Sequence, residues 1–417
     1  ISSSLPSNFS SVKSFQYDLV VMGSTGFTGR LVVEYLLDHY GVKNKQFSWA
    51  IAARDERKLG ELKLALEHHF SDVIDLPVIV VDSFNKNSID QMTLKARVVI
   101  STVGPYLKYG HQLVQSCAEN GTHYCDLTGE VPFIRESIER YDKLAKKNKC
   151  KIIHSCGFDS LPSDIGVLLL QEKALRTFGK PFSEIKLYVK GMAGGISGGT
   201  IDSAFTIYEY TKNQKDLRKI LSDPYSLVPS DKIPSELPRK GLSGVHWDAE
   251  MKRWVCPFAM AGINTKIVRM TNGLLNNQYG KYFKYSEVYS FKEGVVGYIK
   301  ALSMITTLAA FKVSLYSKLI GKIARTMMLP KPGQGPSKQR RDNGYFKLEL
   351  VGLNEGTRME SLIVEGNSDA GYSGTAKMIT ESALSLILNT NEIPNTFGVL
   401  STASGIGRIV AKRLERK

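Results

Sequence analysis

The chain has 417 residues, of which 42% are hydrophobic, and it carries a formal net charge of +15 at pH 7. This length predicts a globular protein of two domains with ordinary hydrophobic cores. Five cysteines without a C-x-x-C pair favour reduced thiols inside a cell over a disulfide framework or a zinc site, and no metal site is predicted. No stretch of 18 apolar residues is free of charge, which argues against a transmembrane helix.

The N-terminal segment 1–16 is rich in serine and contains no acidic residue. We expect it to be flexible. The end of a processed transit peptide is an alternative interpretation, and it would place the protein in a mitochondrion.

A glycine-rich turn follows the first predicted strand. Three glycines stand at three-residue intervals between an apolar run and an amphipathic helix. In dinucleotide-binding folds such glycines allow a tight turn, a close approach to the pyrophosphate, and close packing of helix on strand. The alternative is a structural turn without a ligand. The residues predicted to bind a dinucleotide here are Gly23, Ser24, Thr25, Gly26, Phe27, Thr28 and Gly29.

The end of the second predicted strand indicates which dinucleotide binds. NAD sites normally place an acid there to accept a hydrogen bond from the ribose 2′-OH, whereas this strand ends in two alanines followed by Arg54. Arg54 and Lys58 are suited to a 2′-phosphate, so the sequence favours NADP. NAD stays open, because Asp55 becomes the ribose acid if the strand is one residue longer.

Apolar runs alternate with helical patterns through the first 155 residues, which predicts a doubly wound parallel sheet. Asp82, after the third strand, is a candidate for the adenine amine or a simple turn former. The fourth strand runs into Val103, Gly104 and Pro105, at the edge of the sheet where ligands bind, so this loop is the expected nicotinamide neighbour. The predicted strands are 18–22, 47–53, 78–81, 98–102, 123–126 and 151–155.

The alternation changes after residue 160. A strand-like run, 184–189, leads into a glycine-dense loop and a helix, and two alternating runs, 345–351 and 358–364, predict antiparallel strands. Helical patterns at 374–388 and 405–416 follow. We therefore expect a dinucleotide-binding domain over 17–160 and a second domain over 161–374.

A basic block lies between Glu293 and Asp342, where no acidic residue occurs. Helical spacing over 294–330 predicts one apolar face and one cationic face, and such a helix fits a membrane or lipid-droplet surface. A core-packed helix with a wet basic face is the alternative. No recognition motif for nucleic acid accompanies the charge, so nucleic acid is not an expected partner. The predicted apolar face is Leu302, Ile305, Ala309, Val313, Tyr316, Ile320, Ile323 and Met327, and the cationic face is Lys300, Lys318, Lys322 and Arg325.

Taken together, these segments resemble the saccharopine dehydrogenase-like oxidoreductases, a family that includes bacterial trans-acting enoyl reductases. The resemblance implies a Rossmann-type doubly wound sheet, a second α/β (α+β) domain with a substrate pocket, and C-terminal helices, 375–417, that return to the first domain. Animal members are associated with membranes and lipid droplets, and a homodimer stays open. The resemblance rests on 23–29, 53–54, 103–110, 126–130, 157–164, 198–200, 371–376 and 398–404.

Hydride transfer requires a protein to hold nicotinamide C4 near an acceptor and to supply a proton donor or a charge clamp. The catalytic candidates follow strands that end at the same crevice, and they are Tyr106, Asp126, Glu130, Asp159 and Ser160, with Tyr106, Asp126 and Asp159 preferred. Each also has a structural interpretation, since acids are favoured at helix starts. The expected substrate is a small hydrophobic molecule with a carbonyl or an activated alkene.

Two other classes of function stay open. A binding or scaffold protein could retain NADP without turnover. A serine hydrolase is the other, because Gly195, Ser197 and Gly199 match the G-x-S-x-G nucleophile elbow. Only His246 follows Ser197 among the histidines, which leaves little room for a triad acid between them.

Overall fold

Two β-sheets organise the chain, which the computed structural model describes at residues 14–194, 198–235, 242–316 and 335–417. The strands of the described residues are β1 Tyr17–Met22, β2 Trp49–Ala53, β3 Val78–Val80, β4 Ala96–Ser101, β5 His123–Asp126, β6 Lys151–Ile153, β7 Glu184–Ala193, β8 His246–Asp248, β9 Arg253–Pro257, β10 Lys284–Phe291, β11 Tyr345–Asn354, β12 Thr357–Gly366 and β13 Gly398–Leu400. The helices are α1 Phe27–His39, α2 Glu56–Glu67, α3 Lys86–Lys95, α4 Tyr106–Tyr109, α5 His111–Asn120, α6 Val131–Lys147, α7 Leu161–Phe178, α8 Gly198–Thr211, α9 Lys215–Ser222, α10 Ala261–Leu274, α11 Val295–Tyr316, α12 Lys338–Asp342, α13 Thr375–Leu388, α14 Thr402–Gly405 and α15 Ile409–Glu415.

The first sheet is parallel throughout and has the order β13-β6-β5-β4-β1-β2-β3. Its central strands are buried on both faces, because helices cover each side. The chain moves from β1 outward to β3 and then returns to β4 on the other side of β1. This reversal places the loops after β1 and β4 next to each other at the carboxyl edge, which is where ligands bind in such sheets.

The predicted doubly wound sheet is confirmed, with strand ends that differ by a few residues from the predicted ones. The sixth strand ends earlier than predicted because Ser155 has a φ of 61° and donates its N–H to the carboxylate of Asp126. The seventh strand, β13, was missed. It has only three residues, all buried, and it pairs with β6 from the far end of the chain.

The second sheet has the order β12-β11-β7-β10-β9-β8. β7 and β10 run parallel, and the remaining neighbours are antiparallel. The two predicted antiparallel strands form the hairpin β11–β12, whose turn residues Glu355 and Gly356 both have positive φ. The described residues therefore contain the predicted second domain of mixed α/β structure.

The C-terminal helices return to the first domain, as the resemblance implied. Helix α13 contacts α1, β4 and β5. Its fully buried Glu381 accepts hydrogen bonds from Tyr35 and Tyr40 and pairs with Arg413 of α15 at 2.7 Å. A buried carboxylate with three donors fixes α13 and α15 against α1.

Helix α11 differs from the predicted amphipathic helix. Leu302 and Val313, assigned to an apolar face, are exposed, and Val295 and Ile299 are exposed as well. The solvent side of residues 295–316 therefore carries these apolar side chains together with Lys300, which is also exposed, and the cationic face stays a prediction. Lys300 lies in that part, whereas Lys318, Lys322, Arg325, Ile320, Ile323 and Met327 lie outside the described residues.

Residues 295–315 of α11 are long and apolar enough to cross a membrane, and little of this stretch is buried. The sequence-based expectation missed it because that test required a window without any charge, whereas Lys300 and Lys312 lie within the stretch. Length and composition alone do not distinguish a spanning helix from one that lies on a surface.

Candidate active site

The glycine turn lies at the reversal point of the first sheet. Gly23 has a φ of 90°, and a Cβ there would lie 2.6 Å from Thr102 Oγ1. A Cβ on Gly29 would lie 2.1 Å from the carbonyl oxygen of Gly23. Two of the three glycines are thus required by the fold itself, one for the turn and one for the contact of α1 with β1.

Gly26 is different, because it precedes the first residue of α1 and is exposed. A Cβ there would meet only the carbonyl oxygen of Gly23, at 3.2 Å, and would otherwise project into open space. No side chain caps the N-terminus of α1, and no acid occurs in its first turn. The free N–H groups and the positive end of the helix therefore fit a pyrophosphate, with Phe27 and Thr28 beside it.

The side chains around the turn divide between scaffold and site. Ser24 is fully buried and donates to the carbonyl oxygen of Ala52, so its hydroxyl anchors the turn instead of facing a ligand. Thr102 was not predicted, and its Oγ1 lies 3.2 Å from the carbonyl oxygens of both Met22 and Gly23. Its position at the end of the fourth strand was the available signal. Thr25 and Val103 are half-buried at the same edge.

Arg54 directly follows β2, and Lys58 lies in the first turn of α2. Strand β2 ends at Ala53, and Asp55 caps α2 by accepting the N–H of Lys58 at 3.1 Å. The strand is therefore not longer than predicted, and the carboxylate of Asp55 already serves as a helix cap. Arg54 and Lys58 are exposed, and neither forms an ion pair with any described residue.

Asp82 acts as a turn former. Its carboxylate accepts the N–H of Phe84 at 2.9 Å, two residues along the chain. This hydrogen bond gives one carboxylate oxygen of Asp82 a partner within the protein, so that oxygen does not need a ligand. An adenine contact by Asp82 stays a prediction.

A cavity of about 1160 Å³ lies beside the turn, between the two domains. Thr28, Thr102, Gly104 and Pro105 line the end near the first sheet. The opposite walls come from the second domain and are mainly apolar. They include Met192, Ile201, Ile207, Phe258, Met260, Tyr289, Ile305, Leu308, Phe311 and Leu315.

Tyr106 lines the cavity but is nearly fully buried. Its hydroxyl donates to the carbonyl oxygen of Ser101 at 3.0 Å and accepts the N–H of Leu127. Burial raises the pKa of this phenol well above its usual value, and Asp126 nearby adds to the effect. Because the phenol already donates its proton to the carbonyl oxygen of Ser101, the geometry favours a positioning role for Tyr106 over proton donation to a substrate.

Glu130, which follows the same strand as Asp126, holds the loop that carries Tyr106. Its fully buried carboxylate accepts the N–H groups of Tyr106 and Leu107, at 2.9 and 2.7 Å, and the hydroxyl of Ser203 from α8. Burial raises the pKa of Glu130, and these three hydrogen bonds act in the opposite direction without cancelling the effect. One carboxylate thus connects the expected nicotinamide loop to the second domain.

Asp126 is fully buried and does not line the cavity. One carboxylate oxygen contacts His154 at 2.7 Å and accepts the hydroxyl of Tyr124, and the other accepts the N–H groups of Thr128 and Ser155. All of these partners belong to the first domain. The structure thus places Asp126 in a closed network, away from the position that its catalytic role requires.

Asp159 is the catalytic candidate that the structure brings to the cavity wall. It is half-buried, and two further charged residues line the same cavity, Asp202 of α8 and Lys312 of α11. No sequence signal pointed to the latter two, because they enter the site through the packing of the second domain. The described residues contain no cluster of three His, Cys, Asp or Glu side chains suited to a metal.

A parallel sheet with a glycine turn at its reversal point, and a large cavity beside that turn, defines a nicotinamide-dinucleotide-dependent oxidoreductase. Residues 19–153 match the family model described as "Saccharopine dehydrogenase NADP binding domain". The chain belongs to the saccharopine dehydrogenase-like oxidoreductase family, whose members include trans-acting enoyl reductases. It is an NADP-dependent oxidoreductase.

Similarity to known members covers nearly the whole chain. A relative from Mycobacterium tuberculosis, named as a candidate trans-acting enoyl reductase, is 34% identical over 415 residues, which cover 96% of this chain and 95% of the relative. The trans-acting enoyl reductase of Mycobacterium leprae is 31% identical over 409 residues, 96% of each chain. Saccharopine dehydrogenase (L-Glu forming) from Saccharomyces cerevisiae shares the fold, with a TM-score of 0.50 and 12% identity over 96% of each chain.

Proposed function

We propose that the protein reduces a carbonyl group or an activated alkene in a hydrophobic, lipid-like substrate, with NADPH as the hydride donor. The cavity between the domains carries this proposal. It begins at Thr28, Thr102 and Gly104 beside the glycine turn and continues between apolar side chains. Its volume of about 1160 Å³ exceeds the roughly 300–1,000 Å³ of pockets for small ligands, so it can take both a nicotinamide and an alkyl chain.

The residues that line the cavity divide the task. NADPH, when bound, supplies a hydride to the substrate carbon and is oxidised to NADP⁺, and a proton completes the reduction. Asp159 is placed to handle that proton, because it is the predicted acid on the cavity wall. Phe258, Leu308 and Phe311 exclude water from the substrate end. The name of the mycobacterial relatives supports an enoyl substrate as the first class to test.

A substrate series tests this proposal. Purified protein is mixed with NADPH and 2-enoyl thioesters or ketones of short and long alkyl chains, and NADPH oxidation is followed by absorbance. We expect faster oxidation with the long chains. Leu308→Trp, which narrows the cavity, should slow long-chain turnover and spare short-chain turnover, whereas Val313→Trp on the exposed side of α11 should change neither. NADPH that binds but is never oxidised would support the scaffold alternative.

We also propose that the exposed apolar side of α11 contacts a lipid surface. Val295, Val296, Ile299 and Leu302 are 74%, 68%, 57% and 46% exposed. The other side of the same helix lines the cavity through Leu308 and Phe311. An apolar exposed patch on a chain of net charge +15 is a combination that favours an anionic lipid surface.

Aromatic residues at the beginning of α11 support this orientation. Trp254 packs edge-on against both Trp247 and Tyr298, with ring centroids 5.3 and 4.9 Å apart. Tryptophan and tyrosine are enriched where an apolar phase meets water. The proposal places the protein inside a cell at a membrane or lipid-droplet surface, with the mitochondrion as the alternative compartment.

Flotation with anionic vesicles or lipid droplets tests the lipid surface. Replacing Val295, Val296 and Ile299 together with serine should abolish flotation and leave NADPH binding unchanged. The matched control replaces Leu64, Leu94 and Leu175, exposed leucines on three other helices, with serine. Equal flotation of both triple variants would contradict the proposal that the exposed apolar side of α11 contacts the lipid. A homodimer stays a prediction, which light scattering in solution can test.

A further inference from the structure

A segment of the second domain lies against the first residue of the cofactor-binding helix. The backbone of Gly335 packs so closely on Phe27 that a Cβ there would be 2.3 Å from Cζ of the ring. The ring of Tyr372 meets Phe27 edge-on, with centroids 5.0 Å apart. Phe27 follows Gly26 directly and opens α1, so these contacts are made by the residue next to the predicted pyrophosphate site.

Arg341 of α12 extends this contact. Its guanidinium carbon lies 5.5 Å from the centre of the Phe27 ring, a cation–π distance. One terminal nitrogen donates to the carbonyl oxygen of Pro336 at 2.7 Å, which holds the side chain in place. The Nε atom is buried and has no hydrogen-bond partner among the described residues.

An unpaired buried donor on a guanidinium requires an acceptor. Asp369 is the nearby acid, and the charge of Arg341 acts to lower its pKa, although burial has the larger effect and raises it. One oxygen of Asp369 accepts the N–H groups of Tyr372 and Ser373, the other has no hydrogen-bond partner among the described residues, and the two side chains form no ion pair in the described part of the chain. Asp369 therefore does not satisfy Arg341.

We infer that Arg341 is a phosphate-binding residue of the cofactor site, contributed by the second domain. It contacts the pyrophosphate beside Phe27, and the fork geometry of its guanidinium suits phosphate oxygens. The inference rests on the assignment of the glycine turn to the cofactor. Since pyrophosphate is common to NADPH and NADH, Arg341 supports both nucleotides equally, whereas Arg54 discriminates between them.

Nucleotide titration of the full chain, followed by fluorescence, tests this residue. Arg341→Gln should raise the dissociation constants of NADPH and NADH by the same factor, about 10-fold or more, because a charged hydrogen bond is lost. Arg341→Lys, which keeps the charge without the fork, should give an intermediate loss. Arg340→Gln is the matched control, since Arg340 is the exposed neighbour on the same helix, and it should bind as the parent does.

Unchanged binding by folded Arg341→Gln would overturn the inference, and so would a loss confined to NADPH, which would place Arg341 at the 2′-phosphate. If Arg341→Gln does not fold, Arg341→Lys decides: parental affinity for both nucleotides overturns the inference, and an equal loss supports it. Parent protein that binds neither nucleotide would instead contradict the cofactor assignment itself.

Discussion

Side chains at the glycine turn and at the end of β2 meet different physical demands. Gly23 and Gly29 are fixed by contacts within the protein, whereas Gly26 leaves space that the fold does not use. Arg54 likewise has no ion-pair partner within the described chain. Residues whose conformation or charge the fold does not explain are the ones that a ligand is expected to meet.

We expect the preference for NADP over NAD to depend on Arg54. Arg54→Ala should weaken NADPH far more than NADH, because the arginine meets the phosphate that only NADPH carries. A charged contact of this kind is worth roughly 1.5–3 kcal/mol, or about 10- to 150-fold in affinity. Calorimetric titration of both nucleotides measures the ratio. Arg57→Ala serves as control, since Arg57 pairs with Glu61 on the same helix, and equal losses for both nucleotides would exclude the assignment.

At the scale of elements, the N-cap of α2 fixes the residue at which β2 ends. Asp55 has extended backbone geometry and caps the helix through the N–H of Lys58. The cap ends the strand at Ala53 and leaves Arg54 at the sheet edge. The acid in the expected position for NAD thus has a structural role as a helix cap, and the neighbouring Arg54 is the residue that we expect to bind the cofactor.

The cap gives a stability prediction that is separate from binding. Asp55→Ala should lower the free energy of unfolding by about 1 kcal/mol, because the helix loses its N-cap acceptor. Asp55→Ser, which keeps a capping oxygen, should retain most of the parent's free energy of unfolding. Denaturant unfolding measures both variants. A tenfold or greater loss of NADH affinity in both variants, with stability retained, would show that Asp55 binds the ribose after all.

At the scale of the whole molecule, distant segments complete the first domain. α13, β13 and α15 return after the second domain, and Glu381 is the polar centre of that return. The carboxylate accepts hydrogen bonds from Tyr35, Tyr40 and Arg413. Burial of the two tyrosines raises their pKa values, and the charge and hydrogen bonds of Glu381 add to this effect. We therefore expect the stability of the cofactor domain to depend on the C-terminal helices.

Glu381→Gln tests this dependence. The change leaves Arg413 without its charged partner in a buried position, and such losses cost about 3–5 kcal/mol. We expect a large fall in Tm and in NADPH binding near the melting range. Glu34→Gln, which breaks the more exposed pair of Glu34 with Arg30, should cost about 0.3–0.5 kcal/mol. Similar losses for the two variants would mean that the C-terminal helices contribute little to the first domain.

The sequence by itself determined the parallel sheet and the glycine turn, and it predicted Arg54 over Asp55 for the cofactor, because each depends on short-range patterns of apolar, glycine and charged residues. Tertiary structure decided the rest. It placed Asp126 in a closed network, and the hydroxyl of Tyr106 donates to Ser101. It also brought Asp202 and Lys312 of the second domain to the cavity wall, and Arg341 to the ring of Phe27. It also turned the apolar side of α11 outward. These outcomes depend on which surfaces meet in space, and residues far apart in the chain carry no local signal of that meeting.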